Sequence, residues 1–143
     1  MKLSSTFLAL AAVPIAVVGL SGCSAIADAA HHETGSSFES VQALNKGWDK
    51  EAAWIPADSS DIRIQEASSG SAAILRATST KELDPEACTE TTRRSAPVFV
   101  QSWSPTNTFV EKVWVCGDWD VIPTDDGWFG WTPIDPDEQA AVN

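Results

Sequence analysis

The sequence predicts an α+β, mainly β fold: a small antiparallel sheet of about five to six short strands, with one or two short helices and one disulfide. Three observations predict it. From Asp61 onward, apolar residues recur with a period of two, as they do in half-buried strands. Turn-forming runs of Ser, Gly, Pro and Asp separate these segments. Seven Trp in 143 residues supply the bulk that a small core requires where Leu is scarce.

A short amphipathic helix is predicted over residues 37–46. Ser36 and Glu39 have the spacing of a capping box, in which the side chains at the two positions satisfy free backbone N–H groups. Apolar residues follow at helical spacing, and Gly47 is typical of a helix end. A second helical turn is predicted at residues 84–86, where an Asp-Pro pair precedes Glu.

Six strands are predicted in the rest of the chain. They cover residues 62–66, 73–78, 97–103, 109–116, 120–123 and 128–132. The first two form a hairpin across a Ser-Gly turn, and the last two flank the turn 124–127, which has Asp-Gly at its centre. The third and fourth strands are expected to pair with each other.

Charge restricts the classes of partner. The chain has 20 acidic and 9 basic residues, and removal of residues 1–22 would leave a net charge of −12. Nucleic acid is not an expected partner, because binding to phosphates requires Lys and Arg. Adhesion of the domain to anionic headgroups is disfavoured for the same reason.

The N-terminus has the pattern of an export signal. Lys2 precedes an apolar run at residues 7–20, which is short for a membrane-spanning helix. Leu20, Ser21, Gly22 and Cys23 then resemble the lipobox of bacterial lipoprotein signal peptides. The resemblance implies cleavage before Cys23, lipidation of its thiol, and anchoring on the extracytoplasmic face of the cell membrane by two or three acyl chains. An ordinary secretory signal and a retained transmembrane helix are the alternatives.

Four segments follow from this pattern: a signal peptide at 1–22, a lipidated cysteine and flexible tether at 23–37, an acidic domain at 38–138 and a tail at 139–143. His31, His32 and Glu33 are adjacent in the tether, where three neighbouring ligand types cannot close a metal shell. No metal and no cofactor are therefore predicted.

With Cys23 lipidated, Cys88 and Cys116 remain. Two cysteines in a small exported domain most often form a disulfide. Two free buried thiols are the alternative, and a tetrahedral zinc site would lack ligands.

Residues 116–131 concentrate acids and indoles. Trp119, Trp128 and Trp131, with Asp118 and Asp120, could bind a sugar or another small ligand if the indoles are exposed. The competing interpretation places the indoles in the core and the aspartates in turns. Paired carboxylates for glycoside cleavage could be drawn from Asp118, Asp120 and Asp125. The domain from residue 38 onward contains no histidine, so an enzyme is not expected.

Four segments resemble small actinobacterial cell-surface lipoproteins of uncharacterised function: Trp54-Ile55-Pro56, Ser59-Ser60-Asp61-Ile62-Arg63, Cys116-Gly117-Asp118-Trp119 and residues 126–133. The resemblance implies a surface location and no catalytic residues. The expected function is a non-enzymatic, lipid-anchored module that binds a protein or another envelope component. A carbohydrate- or small-ligand-binding lipoprotein is the first alternative, and an envelope hydrolase is the second.

Overall fold

A computed structural model describes residues 32–135 and residue 137. Within this part of the chain there are seven strands and one α-helix. They are β1 (Glu33–Phe38), α1 (Val41–Gly47), β2 (Ser60–Ala67), β3 (Ala73–Thr78), β4 (Thr89–Thr92), β5 (Lys112–Cys116), β6 (Trp119–Thr124) and β7 (Gly127–Thr132). The predicted signal peptide, Cys23, His31 and the 139–143 tail lie outside the described residues.

The strands form one antiparallel sheet in the order β1-β2-β3-β7-β6-β5-β4. The predicted mainly β fold with a short helix and one disulfide is confirmed. Five of the six predicted strands overlap β2, β3, β5, β6 and β7. No helix in residues 32–135 is both long enough and apolar enough to cross a bilayer.

The N-terminal boundary differs from the prediction. Residues 33–37, predicted as tether, belong to β1, which pairs along its length with β2 from Glu33 opposite Ala67 to Phe38 opposite Ile62. Because Ser36 is held in this edge strand, it cannot cap the helix. Ser40 does so instead, and its Oγ accepts a hydrogen bond from the backbone N–H of Ala43 at 3.2 Å. The helix therefore begins four residues later than predicted.

The predicted strand at residues 97–103 is wrong. Its proposed partner, β5, pairs with β4 on one side and β6 on the other, so β5 offers no free edge. Residues 95–110 instead lie across one face of the sheet, and we call them the covering segment. The apolar side chains that predicted a strand here pack on the sheet instead. Val98, Phe99, Trp103 and Val110 contact that face.

Both faces of the sheet are buried. On the front face, α1 and the loop after it cover a core that includes Trp48, Trp54 and Trp119. On the back face, the covering segment packs over a second core that includes Phe129 and Trp131. Strand β7 contributes side chains to both cores, because successive side chains of a strand point to opposite faces.

The Cys88–Cys116 disulfide joins the end of β5 to the residue before β4. Its two Cα atoms are 4.3 Å apart, and both cysteines are buried on the front face. The bridge extends the β4–β5 register by one pair, because Thr89 already lies opposite Val115. It therefore fixes the four-residue edge strand to the sheet.

Candidate functional site

The acid- and indole-rich segment forms two successive hairpins. A two-residue turn, Gly117-Asp118, joins β5 to β6, with Cys116 opposite Trp119. Gly117 has a φ of 63°, a conformation that glycine adopts without the steric cost of a side chain. Asp118 is exposed at this turn. The β6–β7 hairpin follows, with Asp125 and Asp126 at its turn rather than the predicted Asp-Gly centre.

The three indoles predicted as possible ligand contacts are buried. Trp119, Trp128 and Trp131 are 6%, 7% and 0% exposed. Each indole N–H is also occupied: Trp119 donates to the carbonyl of Glu51 at 3.2 Å and Trp128 to that of Lys81 at 2.9 Å. The condition for stacking on a sugar, that these indoles are exposed, is therefore not met. They fill the two cores, as the competing interpretation expected.

Gly130 makes room for the front-face indoles. A Cβ at this position would approach the Cζ2 of Trp54 to 2.6 Å and the Cε3 of Trp119 to 3.2 Å. The Trp54 and Trp119 ring centroids lie 5.9 Å apart, and Trp48 meets Trp119 edge-on at 6.3 Å. A glycine in the middle of β7 is thus required by the close approach of an indole, which explains its place in a strand.

Asp120 is a buried acid on the back face. It is 1% exposed, and Ser95 donates its hydroxyl to the Oδ2 of Asp120 at 2.5 Å. The Ser95 oxygen in turn accepts a hydrogen bond from the indole N–H of Trp131 at 2.8 Å. Burial raises the pKa of Asp120, while the Ser95 hydrogen bond and the charges of Arg94 and Arg93 oppose this rise. The candidate ligand residue Asp120 is consequently a core group.

Arg93 fastens both ends of the covering segment. Its guanidinium donates to the carbonyl of Ser95 at 2.9 Å, and its Nε donates to the carbonyl of Val110 at 3.0 Å. The same group lies 4.9 Å from the centre of the Phe109 ring, a cation–π distance. Since Arg93 also bonds through its backbone to Glu111, the two ends of the segment meet at one side chain.

A cleft of about 770 Å³ opens at the end of the sheet where β7 ends. The charged residues of its lining are Arg94, Asp118 and Asp135, and all three are exposed. The remaining lining residues are Ser71, Thr132, Pro133 and Ile134. The cleft therefore combines one guanidinium with two carboxylates, two hydroxyls and a small apolar wall.

Sheet topology explains how this lining assembles. Because β3 is antiparallel to β7, with Ala73 opposite Thr132, the residue range before β3 and the end of β7 lie at the same end of the sheet. The turn that carries Asp118 lies at that end too, since Asp120 pairs with Trp131. Arg94 directly precedes the covering segment and completes the lining. The sequence pointed to Asp118 and not to Arg94, whose only signal is that it forms a basic doublet with Arg93.

The chemistry available in this cleft is that of binding. A guanidinium recognises carboxylate or phosphate in a forked geometry, and carboxylates recognise ammonium groups. The carboxylate pair considered from the sequence is divided, because Asp118 is at the surface and Asp120 is in the core. Within residues 32–135, no group of three or more His, Cys, Asp or Glu side chains could hold a metal ion.

The chain was compared with protein-family models, curated proteins and solved structures. None of them matches.

Proposed function

We propose that the protein is a lipid-anchored, non-enzymatic binding module on the extracytoplasmic face of the cell membrane. The observation that carries the binding role is the mixed-charge cleft formed by Arg94, Asp118 and Asp135. A ligand that places an anionic group near Arg94 and a cationic group near the aspartates would satisfy both signs of charge. Segments of envelope proteins and the peptide parts of envelope polymers carry such groups.

The anchoring role is supported by the sequence at Leu20 to Cys23, which lies outside the described residues. The disulfide fits this location, because disulfides persist in oxidising compartments outside the cytoplasm. A binding module is favoured over an envelope hydrolase because the Asp118–Asp120 pair is split between surface and core. It is favoured over sugar stacking because the three candidate indoles are buried.

The anchor is tested by growing cells with an alkyne-bearing fatty acid and detecting its attachment to the full chain. We expect label on the wild type and none on the Cys23→Ser variant, which should also leave the membrane fraction. An unlabelled wild type, or a Cys23→Ser variant that stays wholly with membranes, would contradict the anchor.

The cleft is tested by placing the photo-crosslinker p-benzoylphenylalanine at Ser71, an exposed lining residue. We expect a discrete crosslinked envelope component in cells, lost or strongly reduced when Arg94→Gln is added. Lys81→Gln is the matched control, because it removes one exposed positive charge outside the cleft. Crosslinks of equal yield in the Arg94→Gln and Lys81→Gln backgrounds would show that the guanidinium takes no part in recognition.

A further inference from the structure

The covering segment differs in composition from the rest of this acidic chain. Its 16 residues, 95–110, include no Asp, Glu, Lys or Arg, although a fifth of the whole sequence is charged. Among the described residues, the exposed large hydrophobic side chains are Val100, at 84% exposure, and Phe109, at 72%. Both belong to this segment. The back of the domain therefore has an uncharged outer surface that carries two apolar side chains in solvent.

This surface lies beside the point where the chain enters the domain. The side-chain amide of Gln101, next to Val100, donates to the Oε2 of Glu33 at 3.5 Å. Glu33 is the first residue of β1, and the backbone of the preceding residue, His32, accepts a hydrogen bond from Ser68 at 2.7 Å. The entry point of the chain is thus fixed to the edge of the sheet and adjoins the covering segment.

The distance from this entry point to Cys23 is short. Nine residue steps separate Cys23 from His32, and a fully extended chain spans at most about 3.3–3.6 Å per residue, or about 30 Å in all. A folded domain of about 100 residues has a radius of gyration of about 13 Å. A lipid attached at Cys23 therefore holds the domain within roughly one domain diameter of the bilayer.

Charge determines which surface can face the lipid. Carboxylates are repelled by an anionic membrane surface, and that repulsion extends over about one Debye length, roughly 8–10 Å. The covering segment has no carboxylate of its own. The carboxylates that adjoin it belong to Glu33, which accepts a hydrogen bond from Gln101, and to Glu111, which follows its last residue, and the guanidinium of Arg93 lies against the Phe109 ring at that end. Apolar side chains beside a cation are the combination found on protein surfaces that lie at the bilayer interface.

We propose that the covering segment is the surface by which the domain rests on the lipid, with Val100 and Phe109 entering the headgroup region. This orientation rests on the proposed lipid anchor at Cys23. It turns the front face, with α1, away from the membrane. The occupant of the exposed apolar surface is the outer leaflet to which the acyl chains themselves belong.

The orientation is tested with full-length lipidated protein in vesicles of phosphatidylcholine and phosphatidylglycerol. A genetically encoded fluorescent amino acid replaces Val100 in one variant and Lys46 in the other. Lys46 is the matched control because it is exposed on α1, which packs on the opposite face of the sheet. Nitroxide-labelled lipids are then added as quenchers. We expect quenching at position 100 to be at least threefold stronger than at position 46.

The outcomes separate the two proposals. A wild-type protein that carries no fatty acid and does not pellet with vesicles would overturn the anchor and, with it, the orientation. A labelled, pelleting protein with equal quenching at both positions would overturn the orientation alone. A third variant, Phe109→p-benzoylphenylalanine, distinguishes the partner in cells. Lipid adducts are expected, whereas crosslinking to a protein would show that the covering segment binds a protein and would also overturn the proposal.

Discussion

Removal of the Cys88–Cys116 bridge should destabilise the domain strongly, and the size of the effect follows from the loop that the bridge closes. The two cysteines are 28 residues apart, and the chain-entropy model assigns about 3.6 kcal/mol to a loop of that length. For a domain of about 100 residues, each kcal/mol shifts the melting temperature by roughly 4–5 °C. We therefore expect the melting temperature to fall by about 15 °C when the bridge is absent.

The measurement is thermal unfolding followed by circular dichroism on four samples: wild type with and without reductant, and the Cys88→Ala/Cys116→Ala variant with and without reductant. The reduced wild type keeps both buried sulfur atoms, so it isolates the bridge from any loss of packing. The variant should be indifferent to reductant. A reduced wild type that melts within 2–3 °C of the oxidised protein, once mass spectrometry shows free thiols, would refute this account of what holds β4 to the sheet.

Three further predictions concern the cores and the covering segment. Gly130→Ala should lower stability by about 1–3 kcal/mol in chemical denaturation, because the new methyl group overlaps the Trp54 ring; unchanged stability would contradict the packing described for the front face. Burial raises the pKa of Asp120 above its unfolded value, so its contribution to stability is lost as the pH rises through the folded pKa. Asp120→Asn should remove that component, so that the melting temperature of the variant relative to wild type is higher at pH 7 than at about pH 3, because the loss in the wild type begins at the ordinary carboxyl pKa of 3.8; a difference in melting temperature that is the same at both pH values would count against it. Arg93→Gln should expose the covering segment to limited proteolysis while leaving far-UV circular dichroism unchanged, because the two side-chain bonds that it removes hold irregular backbone, whereas the bond to Glu111 is made by the backbone N–H, which Gln keeps; equal cleavage of variant and wild type would refute the clamp.

The strands that the sequence predicted well are short apolar runs bounded by turn-forming residues. The second predicted strand, residues 73–78, has the same bounds as β3, and residues 128–132 fall within β7. Both strands lie in the interior of the sheet and are largely buried on both faces, so their apolar residues follow one another as a continuous run that stands out in the sequence. The outer strands β1 and β4 were missed. Their residues are mostly polar, because an edge strand is exposed along one side and its pairing depends on backbone hydrogen bonds rather than side chains.

The candidate site was harder to predict than the fold. Local turn chemistry identified Asp118 as an exposed acid, but Ser71, Arg94 and Thr132 are brought beside it by the pairing of β3 with β7 and the path of the covering segment. No local sequence pattern predicts that these residues lie together, because they are distant in the sequence. The indoles were ambiguous for a different reason: a Trp beside Asp and Gly has the same sequence context in a sugar site and in a small core, and burial alone distinguishes them.

Both faces of the sheet are covered, so a partner must bind to surfaces outside the two cores. Five of the seven tryptophans are buried in the cores, so apolar bulk at the surface is left to the covering segment. Ordering its 16 residues without a strand or helix costs about 1–2 kcal/mol of backbone entropy per residue. Packing of Phe99 and Trp103 on the sheet and the two Arg93 hydrogen bonds offset that cost. With the segment held in this way, Val100 and Phe109 project from a defined surface, and Arg94, the residue before the segment, is held at the cleft. A single clamp at Arg93 thus supports both the proposed lipid contact and the proposed ligand site.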